Sequence, residues 1–271
     1  MPQRLPAEIQ LSDILEAIAF FVFGTVFGSF ANVLIYRIPR RMDFALSRSR
    51  CPACAHILSI REMVPVLGYV FLLGRCRHCG VTISVEYPIV ELASGFLCFA
   101  AAWRFPALSA VFIAFLLLTL LVVSLVDLRT QEIHSGFVVA ILLAGVAWVV
   151  VSAMLPGMAL GAPYWRDALL GACTGGVPLF VFDRVSLWLF GKDGFGFGDM
   201  KLMLAVGVFL GWQLIIIAFF VAFILGGLAV CALMISGRTG RGSYIAFGPF
   251  LSAGVATSLF IGERIVDFYV N

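Results

Sequence analysis

Charge is scarce in this chain. Only 12% of its 271 residues are Asp, Glu, Lys or Arg, about half the share usual in globular domains. So few polar side chains cannot cover a soluble surface. This excludes a soluble globular domain, a disordered chain and a nucleic-acid-binding module. Lysine is rarer still, since 16 of the 18 basic residues are Arg. No basic segment precedes the first apolar run, so no cleavable secretory signal is expected. No G-x-G-x-x-G fingerprint occurs, so nothing resembles a Rossmann cofactor site. Low-complexity tracts and a convincing internal repeat are also missing.

What is abundant is apolar. Sixty-two percent of the chain is hydrophobic, enough for about eight spanning helices of roughly 20 residues each. Charge-poor windows place them at 17–36, 87–103, 105–126, 133–163 (ending near Leu155-Pro156-Gly157), 168–190, within 202–236, and at 243–261. The 35 residues of 202–236 are too few for two full spans and a loop, which predicts a shortened sixth helix and a full seventh. The expected fold class is an all-α polytopic membrane protein with about eight transmembrane helices and one small polar domain. Residues 1–36 form a tail and first span, 37–86 a polar domain, and 87–271 the remaining membrane domain of about seven helices.

The Arg bias sets an orientation. Eight Arg fall between Arg37 and Arg77, so the positive-inside rule puts 37–86 in the cytoplasm. Counting spans puts 127–132, 191–201 and 236–242 on that same side, with Arg129, Lys192, Lys201, Arg238 and Arg241. The other side holds only Arg4, Arg104, Arg166 and Arg264. Asp43, Glu62 and Glu86, the acids of the polar segment, are expected as solvated surface charges.

A polar segment of about 50 residues lies near the size at which a core needs a metal or disulfides. Cys51-Pro-Ala-Cys54 and Cys76-Arg-His-Cys79 supply the means. Two CxxC pairs separated in this way match four-thiolate zinc spacing. Gly74 and Gly80 suit the knuckle turns. Two disulfides are the alternative, which a reducing cytoplasm disfavours. The expected metal is structural zinc, because four thiolates leave no open position. His78 could substitute as a ligand, and His56 is expected to face solvent. Cys98, Cys173 and Cys231 lie in spans as packing residues.

Two acids stand out. Asp127 ends the third span and Asp199 starts the sixth within Gly196-Phe-Gly-Asp-Met-Lys201. Two spans separate them, so both are expected at the same membrane face, where they could meet. Two carboxylates sharing a proton can activate water and polarise a peptide carbonyl. Gly196 and Gly198 would admit an extended substrate backbone. Lys201 would orient Asp199 or hold the helix at the interface. Taken singly, either Asp reads more simply as a helix-end residue. Asp183 beside Arg184 reads as a structural ion pair.

These features together resemble the type IV prepilin peptidases, membrane aspartic proteases of the GxGD class. The resemblance runs over nearly the whole chain. It is carried by Gly28-Ser-Phe-Ala-Asn-Val-Leu-Ile-Tyr-Arg-Ile-Pro39, the paired CxxC loop, Ile83-Ser84, Tyr87-Pro-Ile-Val-Glu-Leu92, Asp127, Gly196–Lys201 and Ile245-Ala-Phe-Gly-Pro-Phe250. It implies cleavage of prepilin and secretion-pseudopilin leaders after a glycine, at the cytoplasmic face of a bacterial inner membrane. It also implies N-methylation of the new N-terminal residue with S-adenosylmethionine as donor. Asp127 and Asp199 match the family's two aspartate motifs. Glu91 is a candidate for contacting the methyl donor or the substrate N-terminus, because a carboxylate entering a span is costly. Asn32, Arg37, Gly95 and Arg75 are further candidates. For Gly28 and Gly95 helix packing is the competing account, and for Arg37 and Arg75 membrane anchoring.

The chain departs from the family pattern after Asp127. Ile133 is followed by His134 and Ser135 instead of Pro and Asp or Asn. Ser135 is expected to cap the fourth span. Two other functions remain in view: a peptidase without methyl transfer, and a transporter or scaffold with a zinc-stapled loop. The transporter predicts paired polar residues in several spans, and spans three, four and seven have no internal charge.

Overall fold

The computed structural model describes residues 10–40, 42, 49–155, 164–191, 196–237 and 245–270. Arg4, Asp43, Pro156-Gly157, Lys192, Arg238 and Arg241 lie outside these. Among the described residues there are nine α-helices and no strand ladder: α1 Leu11–Arg37, α2 Leu67–Phe71, α3 Glu86–Arg104, α4 Ala107–Thr130, α5 Ser135–Met154, α6 Trp165–Phe190, α7 Phe197–Leu210, α8 Trp212–Ile235 and α9 Gly248–Val270. Eight of them coincide with the eight expected spans, and α2 is the addition.

Five stretches are long and apolar enough to cross a membrane: Leu11–Arg40, Ala107–Thr130, Ser135–Met154, Trp165–Leu189 and Trp212–Ile235. The other three expected spans are weaker for visible reasons. Helix α3 carries Glu86 and Glu91. Helix α7 has 14 residues, about 21 Å at 1.5 Å per residue, short of the roughly 30 Å hydrocarbon core. Helix α9 begins at Gly248-Pro249, later than expected, and runs on through Glu263, Arg264 and Asp267. Many large apolar side chains point outward from α1, α5, α6 and α8, as lipid-facing helices require.

The chain divides into two units, residues 3–118 and 119–271. In the first, α1 packs along α3. Small residues make this possible. A Cβ at Gly24 would lie 2.6 Å from the Ser94 carbonyl oxygen, one at Gly28 would lie 2.7 Å from the Glu91 Cα, and one at Gly95 would lie 2.7 Å from Thr25 Cγ2. Such close backbone approach substitutes for hydrophobic drive where the solvent is lipid. Phe21 and Phe96 meet edge to face at 5.2 Å.

In the second unit α7 is the most enclosed element. It packs against α5, α6, α8 and α9, and Leu202, Met203, Ala205, Val206 and Phe209 are fully buried. Phe209 meets Trp148 of α5 edge to face at 4.9 Å. Gly171 of α6 and Gly207 of α7 touch backbone to backbone, so a Cβ on either would overlap the other's carbonyl. The shortness of α7 comes from Gly211, with φ 77° and ψ 172°, a region open essentially to glycine alone. It ends α7 and starts α8 within one residue.

Helix α5 corrects one expectation. His134 (φ −66°, ψ 125°), not Ser135, occupies the N-cap position, and it makes no side-chain cap bond. Ser135 is already helical, so its hydroxyl sits past the point where it could cap the first turn.

Candidate functional site

Asp127 lies in the last turn of α4 and is 4% exposed. Its Oδ2 accepts the N–H of Gly248 at 2.9 Å, in a buried bond across 121 positions. Gly248 opens α9 and is followed by Pro249, so its N–H has no intrahelical acceptor. A free donor of this kind suits a carboxylate. One turn along α9, Ser252 Oγ donates to the Leu120 carbonyl at 3.4 Å. The two contacts dock the start of α9 along the end of α4.

Asp199 lies in the first turn of α7 and is 9% exposed. Its backbone N–H donates to the Gly196 carbonyl at 3.1 Å. Gly198 packs on the connection that follows Asp127, since a Cβ there would lie 2.9 Å from Ile133 Cβ. This packing sets the start of α7 beside the connection that leaves α4. Gly196 is exposed, and a Cβ on it would meet only Asp199, at 3.2 Å from Oδ2. Lys201 holds its ammonium over the Phe197 ring at 4.3 Å. His134 and Glu132 are exposed. Asp183 is paired with Arg184 at 2.6 Å, as its sequence neighbourhood suggests.

In the first unit, Cys51, Cys54, Cys76 and Cys79 converge, with all four sulfurs within 4.8 Å of one another. The Cys51–Cys79 sulfur separation is 3.8 Å, far too long for a disulfide. It equals the edge of a tetrahedron with metal–sulfur bonds of about 2.3 Å. The two knuckles are built alike. The N–H of Cys51 donates to the His56 carbonyl and that of Ala55 to the Cys51 carbonyl. The N–H of Cys76 donates to the Val81 carbonyl and that of Gly80 to the Cys76 carbonyl. Antiparallel bridges Arg50–Ile57 and Arg75–Thr82 close them. Ala55 (φ 57°) and Gly80 (φ 70°) take matching left-handed positions. Backbone N–H groups of Cys54 and then Ala53 lower the Cys51 thiol to about 7. A thiol so lowered suits thiolate ligation. The donor set therefore fits a closed four-thiolate metal.

Around this cluster two expectations are corrected. His56 is half-buried, stacked on His78 at 4.8 Å between ring centres, with Nε2 3.8 Å from Glu62. Glu62 is not a solvated charge. Its carboxylate accepts from both the N–H and the hydroxyl of Ser59 at 2.7 Å, which holds its acid below the usual carboxylate range.

Of the residues singled out for methyl transfer, Glu91, Asn32 and Gly95 sit at the α1–α3 contact. Glu91 is 8% exposed and accepts the Val66 N–H at 2.7 Å and a bond from Ser29. Asn32 donates to the Tyr87 carbonyl at 3.1 Å. Gly95 is pressed on Thr25 and Phe21. Arg37 is buried at the end of α1, and Arg75 is exposed beside its knuckle.

Gly248 and Val66 are the contributors that side-chain reasoning passes over, since both act through a backbone N–H. The Gly-Pro pair at 248–249 was the available signal for the first.

These features describe a polytopic helical membrane protein with two buried carboxylates at helix ends and a four-thiol loop. Residues 22–105 match the bacterial peptidase A24 N-terminal domain, and residues 114–231 match the type IV leader peptidase family. The chain is 33% identical over 291 residues to a prepilin leader peptidase/N-methyltransferase of Burkholderia pseudomallei, covering 95% of this chain and 87% of that one. It is 31% identical over 254 residues to the protein of that name from Bacillus subtilis, covering 93% and 96%. No solved structure matches. The chain belongs to the type IV leader peptidase family.

Proposed function

We propose that the protein removes the leader peptide of type IV prepilins and related pseudopilins and methylates the new N-terminus, with Asp127 and Asp199 as the cleaving pair. The observation that carries this reading is that both acids are buried at helix ends, with the start of α7 packed through Gly198 on Ile133 just after α4. Two carboxylates that meet in one site share a proton. One takes a proton from water, which attacks the scissile carbonyl, and the other, protonated, polarises that carbonyl. Gly248 fixes one oxygen of Asp127 and leaves the other for water or proton. Exposed Gly196 lets an extended backbone lie against Asp199. The Arg-rich segment supports a cytoplasmic location for both acids in a bacterial inner membrane. Cys51, Cys54, Cys76 and Cys79 would hold one structural zinc.

S-adenosylmethionine is the methyl donor this reading requires, with Glu91, Gly95, Asn32 and Arg37 as candidates for contacting it or the substrate N-terminus. Peptidase activity without methyl transfer is the second reading. Cleavage of a prepilin in membranes, with intact mass of the product, tests both parts. An unmethylated product from active protein removes the transferase, and full processing by Asp127→Asn or Asp199→Asn protein removes the catalytic assignment.

A further inference from the structure

Between the two thiol knuckles lies a segment whose surface contradicts a polar domain. Leu67, Val70, Phe71 and Leu73 are 52%, 56%, 80% and 86% exposed, and Met63 and Val64 are also exposed. Water is a poor solvent for a contiguous patch of this kind.

The Glu91 tether fixes its depth. Glu91 holds the Val66 N–H, and the Glu91 Cα lies against Gly28 of α1. Arg37 is the first charge after Gly28, nine residues on, or about 13 Å along the helix axis. Val66 is therefore anchored beside the apolar part of a spanning helix, not beyond its end. Val66 stands at φ 61° and ψ −52°, which a β-branched residue adopts only when held.

The segment also meets the main condition for entering lipid, an internally satisfied backbone. The N–H groups of Leu67, Gly68, Val70, Leu72, Leu73 and Gly74 all donate to carbonyls within 64–70. Exposed Arg61 and Arg75 flank it, placed for phosphate headgroups.

We propose that residues 64–73 form a re-entrant apolar wedge that dips into the bilayer leaflet on the loop's side, with Phe71 and Leu73 among the acyl chains and Arg61 and Arg75 at the headgroups. Glu91 is the positioning residue that sets its depth. The four-thiol knuckles then act as the rigid clamp at both ends of the wedge. The wedge needs neither peptidase nor transferase activity.

The test uses the full chain in phospholipid vesicles without substrate, with an apolar carbene precursor dissolved in the bilayer and labelled residues mapped by mass spectrometry. Phe71 and Leu73 are expected to label as strongly as Leu143 of α5, and Glu91→Ala to lower their labelling severalfold while Leu143 is unchanged. Blank 64–73 peptides in the wild-type chain would overturn the proposal. So would a photo-crosslinker at position 71 that captures an added prepilin but no phospholipid, since the patch would then be a substrate surface.

Discussion

The N–H of Gly248 and the Oδ2 of Asp127, 2.9 Å apart, join the start of one helix to the end of another. One carboxylate oxygen is held and oriented by a donor that carries no side chain. A Cβ on Gly248 would lie 2.7 Å from that oxygen, so one of them must move. Gly248→Ala should lower prepilin cleavage by roughly 100-fold, the scale of an ångström-sized misplacement. Gly196→Ala should cost far less, because its Cβ would stand 3.2 Å from Asp199 Oδ2, a contact a small side-chain shift relieves, and its φ of −67° suits alanine. Cleavage rates of the two variants in matched membranes check the contrast.

Asp127→Asn and Asp199→Asn should each reduce cleavage by roughly 100- to 10,000-fold, as loss of an acid–base partner does, without loss of the folded chain. Neither should behave better than the double variant by more than a small factor, because the two act as one unit. Time courses of leader removal on the same prepilin measure this.

The thiol cluster should carry about one zinc per chain, as four converging thiolates require. Metal content by mass spectrometry checks it, and a chain with four free thiols and no zinc would refute it. Protons compete with the metal for thiolates, so retention against a chelator should weaken as pH falls. Replacing Cys51 and Cys76 by Ser should expose 49–83 to proteolysis while the helices of 119–271 stay intact.

Glu91→Ala leaves the Val66 N–H buried without its acceptor, at a cost of about 1–3 kcal/mol. Glu91→Gln keeps an acceptor and should cost less. Limited proteolysis within 60–75 should therefore rise most in the Ala variant. Leader cleavage need not change, which separates the tether from the aspartate pair.

Much of this was legible in the residues themselves. Charge-poor windows found the helices, because nothing but an apolar run can occupy lipid. The CxxC spacing found the thiol cluster, because ligand geometry leaves few alternatives. Parity of spans brought Asp127 and Asp199 to one face. What escaped were contacts made by backbone. The Gly248 and Val66 donors leave no residue-type signature, and the positive φ at Val66 runs against its type. Glu62 looked like a surface charge because its partners Ser59 and His56 are brought near by a turn. His134 displaced Ser135 from the cap because the helix starts one residue sooner than the preference for Ser implies.

The central claim is that Asp127 and Asp199 cut a prepilin whose new N-terminus is then methylated. Co-expression with a prepilin, followed by intact mass of the product, tests it most directly. The account predicts leader loss plus one methyl group from the wild-type chain and an uncut prepilin from Asp127→Asn and Asp199→Asn. A fully cut prepilin from either variant would contradict it.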